Sequence, residues 1–228
     1  MKCLSEKHNV VGIDKKPSAG TITLDIVNEQ NKLRELLQKI DVVIHLAWDS
    51  EEAGTALGPP VMKNKAMGEI MYALALKARV KRFVLASSVH VSLGHIGYRH
   101  PGIVENHRDL HTKKIDTRDE FYPLGTYGAS KIYLEALGKA YSKKGLQVIC
   151  ARFGNVTPDD NFGEYPFWLS HRDCCHFIER CIETAKLPQH SIFFAISDNP
   201  CNPFDLSNAK SQLGYVPKDK SPCPNEAS

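Results

Sequence analysis

Tyr127 and Lys131 stand four residues apart in the run Thr126-Tyr127-Gly128-Ala129-Ser130-Lys131, and the pair Ser87-Ser88 closes an apolar segment earlier in the chain. On a helix this spacing puts the phenol and the ammonium one turn apart on one face. A cation beside a phenol favours the phenolate, and a phenol tuned toward neutrality is a general acid or base for a hydroxyl/carbonyl pair. The Ser88 hydroxyl can bond the same substrate oxygen. Tyr-x-x-x-Lys alone is ordinary helix surface; its meaning depends on the elements that position it.

Those elements alternate. Val10–Asp14 and Thr21–Asp25 read as short strands, Asn31–Lys39 as an amphipathic helix with Leu33, Leu36 and Leu37 inward, and Asp41–Ala47 as a strand apolar on both faces. Trp48–Pro60 is a loop rich in Gly and Pro, Met62–Arg79 a helix, and Phe83–Ser88 a buried strand ending in hydroxyls. The helix Tyr127–Lys143 is followed by the strand Gln147–Phe153, then by a helix from Phe167 to about Ala185 and a strand over Ser191–Ser197. This order predicts an α/β fold, a doubly wound, mostly parallel sheet with chemistry at the carboxyl ends of its strands. Val89–Pro123 reads as a polar loop over the site. It carries His90, His95, His100, His107 and His111, but no carboxylate or thiol cluster completes a metal site, and none is expected. Lys218–Ser228 reads as a frayed polar tail.

Composition narrows the partners. The 228 residues are 42% hydrophobic and 24% charged, enough for one sizeable core. A net charge of +3 without a basic, aromatic-interleaved stripe argues against nucleic acid. No apolar run spans a membrane and Met1–Glu6 is no signal peptide. The seven cysteines, without Cys-x-x-Cys, read as reduced, packed thiols, which implies a cytoplasmic setting.

Asp41-Val42-Val43-Ile44-His45-Leu46-Ala47, Asn64, Phe83–Ser88, Tyr127–Lys131 and Arg152-Phe153-Gly154-Asn155-Val156 occur together in an order that resembles the extended short-chain dehydrogenase/reductases, the NAD-dependent epimerase/dehydratase family. Trp168–Asp173 and Leu213–Asp219 are most similar to uronate dehydrogenase-like members. The resemblance implies a Rossmann-like region over 1–152 and a small, dependent substrate region over 153–228. It implies catalysis by Ser88, Tyr127 and Lys131, with Lys131 also on the nicotinamide ribose. Asp14 would accept the adenosine ribose hydroxyls, favouring NAD over NADP although Lys15 and Lys16 adjoin it. Asp25 and Ile26 would touch adenine, Leu46, Ala47 and Trp48 would run beneath NAD, and Asn64 would support that loop. Ser88, His90 and Asn155 would meet a small sugar or sugar acid. A second copy of the chain is the one macromolecular partner expected.

Two departures stand out. The family's opening strand, Gly-x-x-Gly-x-x-Gly turn and helix are not in the sequence, so Met1–Asn9 resembles only that helix's end. The expectation is an N-terminally truncated fold with two unpaired strand edges and weak NAD binding, from a fragment or from a member that no longer binds cofactor well. In addition, Asn161–Phe167 has Glu164 and no arginine where uronate dehydrogenases grip a carboxylate, and Val89 replaces the usual asparagine. The enzyme expected is an NAD-dependent oxidoreductase or epimerase; the alternative is a non-catalytic binding or scaffold protein.

Overall fold

The computed structural model describes residues 2–49, 62–96, 98–99, 102–103, 113–161 and 166–222. The chain runs through α1 (Lys2–Ser5), β1 (Gly12–Asp14), β2 (Thr21–Thr23), α2 (Gln30–Leu37), β3 (Val42–His45), α3 (Met62–Lys77) and β4 (Arg82–Ser88). It continues through β5 (Tyr98–Arg99), β6 (Gly102–Ile103), α4 (Thr126–Ser142), β7 (Gln147–Phe153), α5 (His171–Glu183) and β8 (His190–Ala195).

The apolar runs form one parallel sheet in the order β3-β4-β7-β8. Alternate residues of β4 enter different cores. Phe83 and Leu85 pack with Leu33, Tyr72, Leu134 and Val148, whereas Val84 packs with Ile149, Phe177, Phe193 and Tyr215. A strand with period-2 side chains and apolar residues at nearly every position is one covered on both faces. The fold is therefore the α/β, Rossmann-like arrangement the alternation predicts. β1 and β2 form a separate parallel pair, with Gly12 opposite Thr21 and Asp14 opposite Thr23, and β1 does not pair with β3.

Several boundaries differ from the sequence reading for local reasons. β2 stops at Thr23 because the next backbone is taken into a turn, in which Asp25 Oδ1 accepts from the amides of Val27 at 2.8 Å and Asn28 at 3.1 Å. α5 begins at His171, not Phe167. Asn155 and Trp168 form a parallel bridge, and the Ser170 hydroxyl caps the helix by accepting from the Asp173 amide at 3.0 Å. The stretch after β4 is less loop-like than expected. Short 3₁₀ turns at Val89–Val91 and Leu93–Ile96 bury Val89, Val91, Leu93 and Ile96. The tail as far as Pro222 is docked rather than frayed: the amides of Lys218 and Asp219 donate to the Asp173 carboxylate at 2.8 and 3.0 Å, and that of Ser221 to Asn199 Oδ1 at 3.0 Å. Most of the Gly/Pro loop, His100, His107, His111, Glu164 and the last six residues lie outside the described residues.

The cysteine reading needs correction. Cys150, Cys174 and Cys181 are free thiols, but Cys3 of α1 is joined to Cys175 of α5, and Cys201 is also disulfide-bonded. Consecutive helix residues point about 100° apart, so Cys175 reaches α1 while Cys174 does not. Nothing in the local sequence signals a pairing across 172 residues. No helix of the described residues is long and apolar enough to cross a membrane.

Candidate active site

The carboxyl end of β4 and the start of α4 meet closely. Gly125, at φ 91°, occupies the N-cap with a backbone most side chains avoid. At Gly128 a Cβ would lie 2.4 Å from the His90 carbonyl oxygen, so only glycine lets the first turn of α4 approach the turn after β4. That approach brings the Tyr127 side chain near the Ser88 hydroxyl, which favours the phenolate. Ser88 Oγ also accepts from the His90 amide at 3.2 Å. The Tyr127 ring sits between two edge-on partners, Trp48 and His90, each with its ring centroid 5.1 Å away.

Lys131 follows one turn later, 5% exposed. Its Nζ donates to the Ala86 carbonyl at 2.7 Å and lies 3.9 Å from the Trp48 ring centroid and 5.6 Å from that of Tyr127. Burial lowers its pKa to about 7, opposed by the Glu135 carboxylate. Burial raises the Tyr127 phenol above its ordinary value, and the nearby Ser88 hydroxyl pulls it down in part. The expected lowering of the phenol by Lys131 is not what dominates here: the ammonium sits beneath the ring and against the β4 backbone. His45, at the end of β3, is pushed down to about 3 by burial and by Lys131, so it is a neutral imidazole.

Two residues absent from the sequence-based site complete the cluster. Glu135 accepts from Ser87 Oγ at 2.5 Å, from Arg152 Nε at 3.0 Å and from Arg152 Nη2 at 2.9 Å. Glu135 is 1% and Arg152 0% exposed. A signal was available: an arginine inside the otherwise apolar β7 and a glutamate on the inner face of α4 need each other, because buried charges are nearly always paired.

The NAD dependent epimerase/dehydratase family model matches residues 2–199. The chain belongs to this family. The NAD-dependent glucose-6-phosphate dehydrogenase of Haloferax volcanii is 32% identical over 202 residues, spanning 86% of this chain and 74% of that relative. The L-arabinose 1-dehydrogenase (NAD(P)(+)) of the same organism is 28% identical over 250 residues, 97% of this chain and 91% of that relative. The crystal structure of uronate dehydrogenase from Agrobacterium tumefaciens superposes with a TM-score of 0.75 at 24% identity, covering 96% of this chain and 79% of that one; a variant of it was solved with NAD. Family membership makes the chain an enzyme of the NAD-dependent dehydrogenase and epimerase type.

The remaining predicted residues lie at or just beyond the ends of β1, β2, β3 and β7, apart from Asn64, which lies in α3. Leu46 and Ala47 are exposed beyond β3, with Leu46 at 55%. Trp48 lies against Lys131, and buried Asn64 holds the next backbone by accepting from the Asp49 amide at 2.6 Å and donating to its carbonyl at 3.1 Å. Asp14 is exposed at the end of β1, and its Oδ1 accepts from the Lys16 amide at 2.8 Å. Lys15 turns instead to the buried Asp49 carboxylate, 2.6 Å away, which Lys63 approaches to 3.3 Å. Asp25 uses its carboxylate on the turn described above, and Ile26 packs on the core beside it. Asn155 has a half-buried side chain with no hydrogen-bond partner among the described residues. These groups fit NAD: an accessible carboxylate, an open strand end and a cationic lysine, with the Trp48 indole covering the last. Arg172 does not reach this cluster; its guanidinium forks onto Asp219. No group of three His, Cys, Asp or Glu side chains converges among the described residues.

Proposed function

We propose that this chain is an NAD-dependent oxidoreductase or epimerase acting on a hydroxyl or carbonyl of a small sugar or sugar acid through Ser88, Tyr127 and Lys131. The observation that carries the reading is the placement of the Tyr127 ring beside His90 at the end of β4, with the Lys131 ammonium one helical turn on, 5.6 Å from the ring centroid and held by the Ala86 carbonyl. Ser88 holds the substrate oxygen, Tyr127 exchanges its proton, and Lys131 binds the nicotinamide ribose and supplies positive charge beneath the phenol. NAD, when bound, supplies the hydride acceptor. Asp14 would take the adenosine ribose hydroxyls, with Asp25 and Ile26 near the adenine, Leu46, Ala47 and Trp48 beneath the coenzyme and Asn64 behind them. His90 and Asn155 would orient the sugar. Coenzyme recognition is assigned to 1–152 and substrate recognition to 153–228, in a soluble cytoplasmic enzyme that can pair with a second copy.

The relatives named for glucose-6-phosphate, arabinose and uronate support a sugar-like substrate. With Arg172 committed to Asp219, a uronate carboxylate lacks that cation, and a neutral sugar is the preferred substrate. NADH formation by the purified chain with galactose, galacturonate and glucose-6-phosphate tests this. Faster turnover of galacturonate would remove the specificity reading, and no turnover of any sugar would favour a second reading. That reading is a non-catalytic binding protein with impaired NAD affinity. The Trp48 indole over Lys131 supports it.

A further inference from the structure

We infer that Glu135, locked by Arg152, is a positioning residue: its carboxylate ties the strand end carrying Ser88 to the helix carrying Tyr127 and Lys131, and places a fixed negative charge beneath the ammonium. The inference rests on the proposed roles of those three residues. Glu135 is one turn beyond Lys131 and two beyond Tyr127, on the same face of α4. It accepts two parallel bonds from one edge of the Arg152 guanidinium, Nε and Nη2, and one from Ser87, the neighbour of Ser88 and the register partner of Arg152 between β4 and β7. Arg152 Nη1 also donates to Ser92 Oγ at 3.4 Å, and its Cζ lies 5.4 Å from the Phe194 ring and 5.5 Å from the Phe121 ring. One carboxylate therefore links α4, β4 and β7, and the arginine extends the link to the turn after β4.

Stability alone does not account for this arrangement. Replacing a buried ion pair with apolar side chains of similar size is often neutral or stabilising. What the pair supplies is a charge in a fixed place. Lys131 faces Glu135 and Tyr127 from its own helix, His45 from β3, the Ala86 carbonyl from β4 and the Trp48 ring from the loop after β3. Arg152 on β7 stands behind Glu135. Tyr127 and His45 are uncharged at neutral pH, so Glu135 is the anion that favours the protonated lysine.

The test is a titration of Lys131 in the full chain by 13C NMR of the lysine side chains, the resonance being assigned by its loss in Lys131→Arg. In Glu135→Gln the Lys131 pKa should fall by about half a unit or more. If that variant fails to fold because Arg152 is left unpaired, Glu135→Leu with Arg152→Met removes both charges; it should keep the wild-type melting temperature and still show the fall. An unchanged Lys131 pKa in either folded variant overturns the inference, because a purely structural pair would leave it unmoved. The readout is a proton on lysine, so it holds even for an inert chain. Turnover of Tyr127→Phe tests the catalytic reading separately.

Discussion

The cluster around Ser88, Tyr127 and Lys131 and the β1–β2 pair carrying Asp14 are held in different ways. The cluster sits where two seven-residue strands run side by side, beneath a seventeen-residue helix, with a buried ion pair behind it. The β1–β2 pair has two three-residue strands, exposes Ile22 at 41% and makes no ladder bonds to the main sheet. Groups that must hold a reacting atom to fractions of an ångström are over-determined by packing. Groups that contact a ligand's far end are held by a turn and a few surface bonds, and local opening is cheapest there.

The contrast can be broken at its strong end first. Tyr127→Phe should lower turnover by about a thousandfold while leaving NAD binding nearly intact, since a positioned acid/base group contributes about 10²–10⁴. Steady-state rates and an NAD titration decide it; retained turnover would put the chemistry elsewhere. Phe83→Ala, in the core beneath the cluster, should cost about 3–5 kcal/mol, whereas Ile22→Ala in β2 should cost under about 1 kcal/mol. Denaturant unfolding of both variants gives the ratio, and comparable losses would erase the distinction.

The pH dependence sharpens the same point. Lys131 titrates near 7 in the fold and at 10.5 when free. Between those values the unfolded chain binds more protons, so this group's destabilisation, complete below about pH 7, is relieved as pH rises toward 10.5. Buried phenols and thiols such as Tyr72 and Cys150 act oppositely at alkaline pH. The readout is therefore the difference in melting temperature between wild type and Lys131→Met, which should shrink from pH 7 to 10. Parallel curves would mean that Lys131 is not buried as described. A smaller effect belongs to α1 and the turn after it, tied to α5 by Cys3–Cys175 and the Lys7–Glu179 ion pair. Cys175→Ser should cost about 2–4 kcal/mol, the usual worth of a disulfide and below the roughly 5 kcal/mol that loop closure alone would give across 172 residues. Equal melting temperatures with and without reductant would show that the link constrains nothing.

Much of this was legible in the sequence because the buried strands announce themselves. Phe83–Leu85 and Val148–Ala151 are apolar at every position, and Gln147–Phe153 forms a strand over the predicted residues. The Tyr127–Lys131 spacing placed both side chains on one helical face. Non-local choices were less legible. The onset of α5 depends on a bridge from Asn155 to Trp168, the order in the tail on the Asp173 carboxylate, and the Cys3–Cys175 link on helix direction. The relation of Lys131 to Tyr127 depended on the Ala86 carbonyl, which no side-chain motif records.

The order of the main sheet has a consequence for synthesis. β3, β4, β7 and β8 lie side by side in the order in which a ribosome would release them. Each new strand adds to the edge left by its predecessor and never has to be threaded between two strands already paired. A nascent chain halted after β7 would present β7 as the one open edge on that side, until β8 covers it.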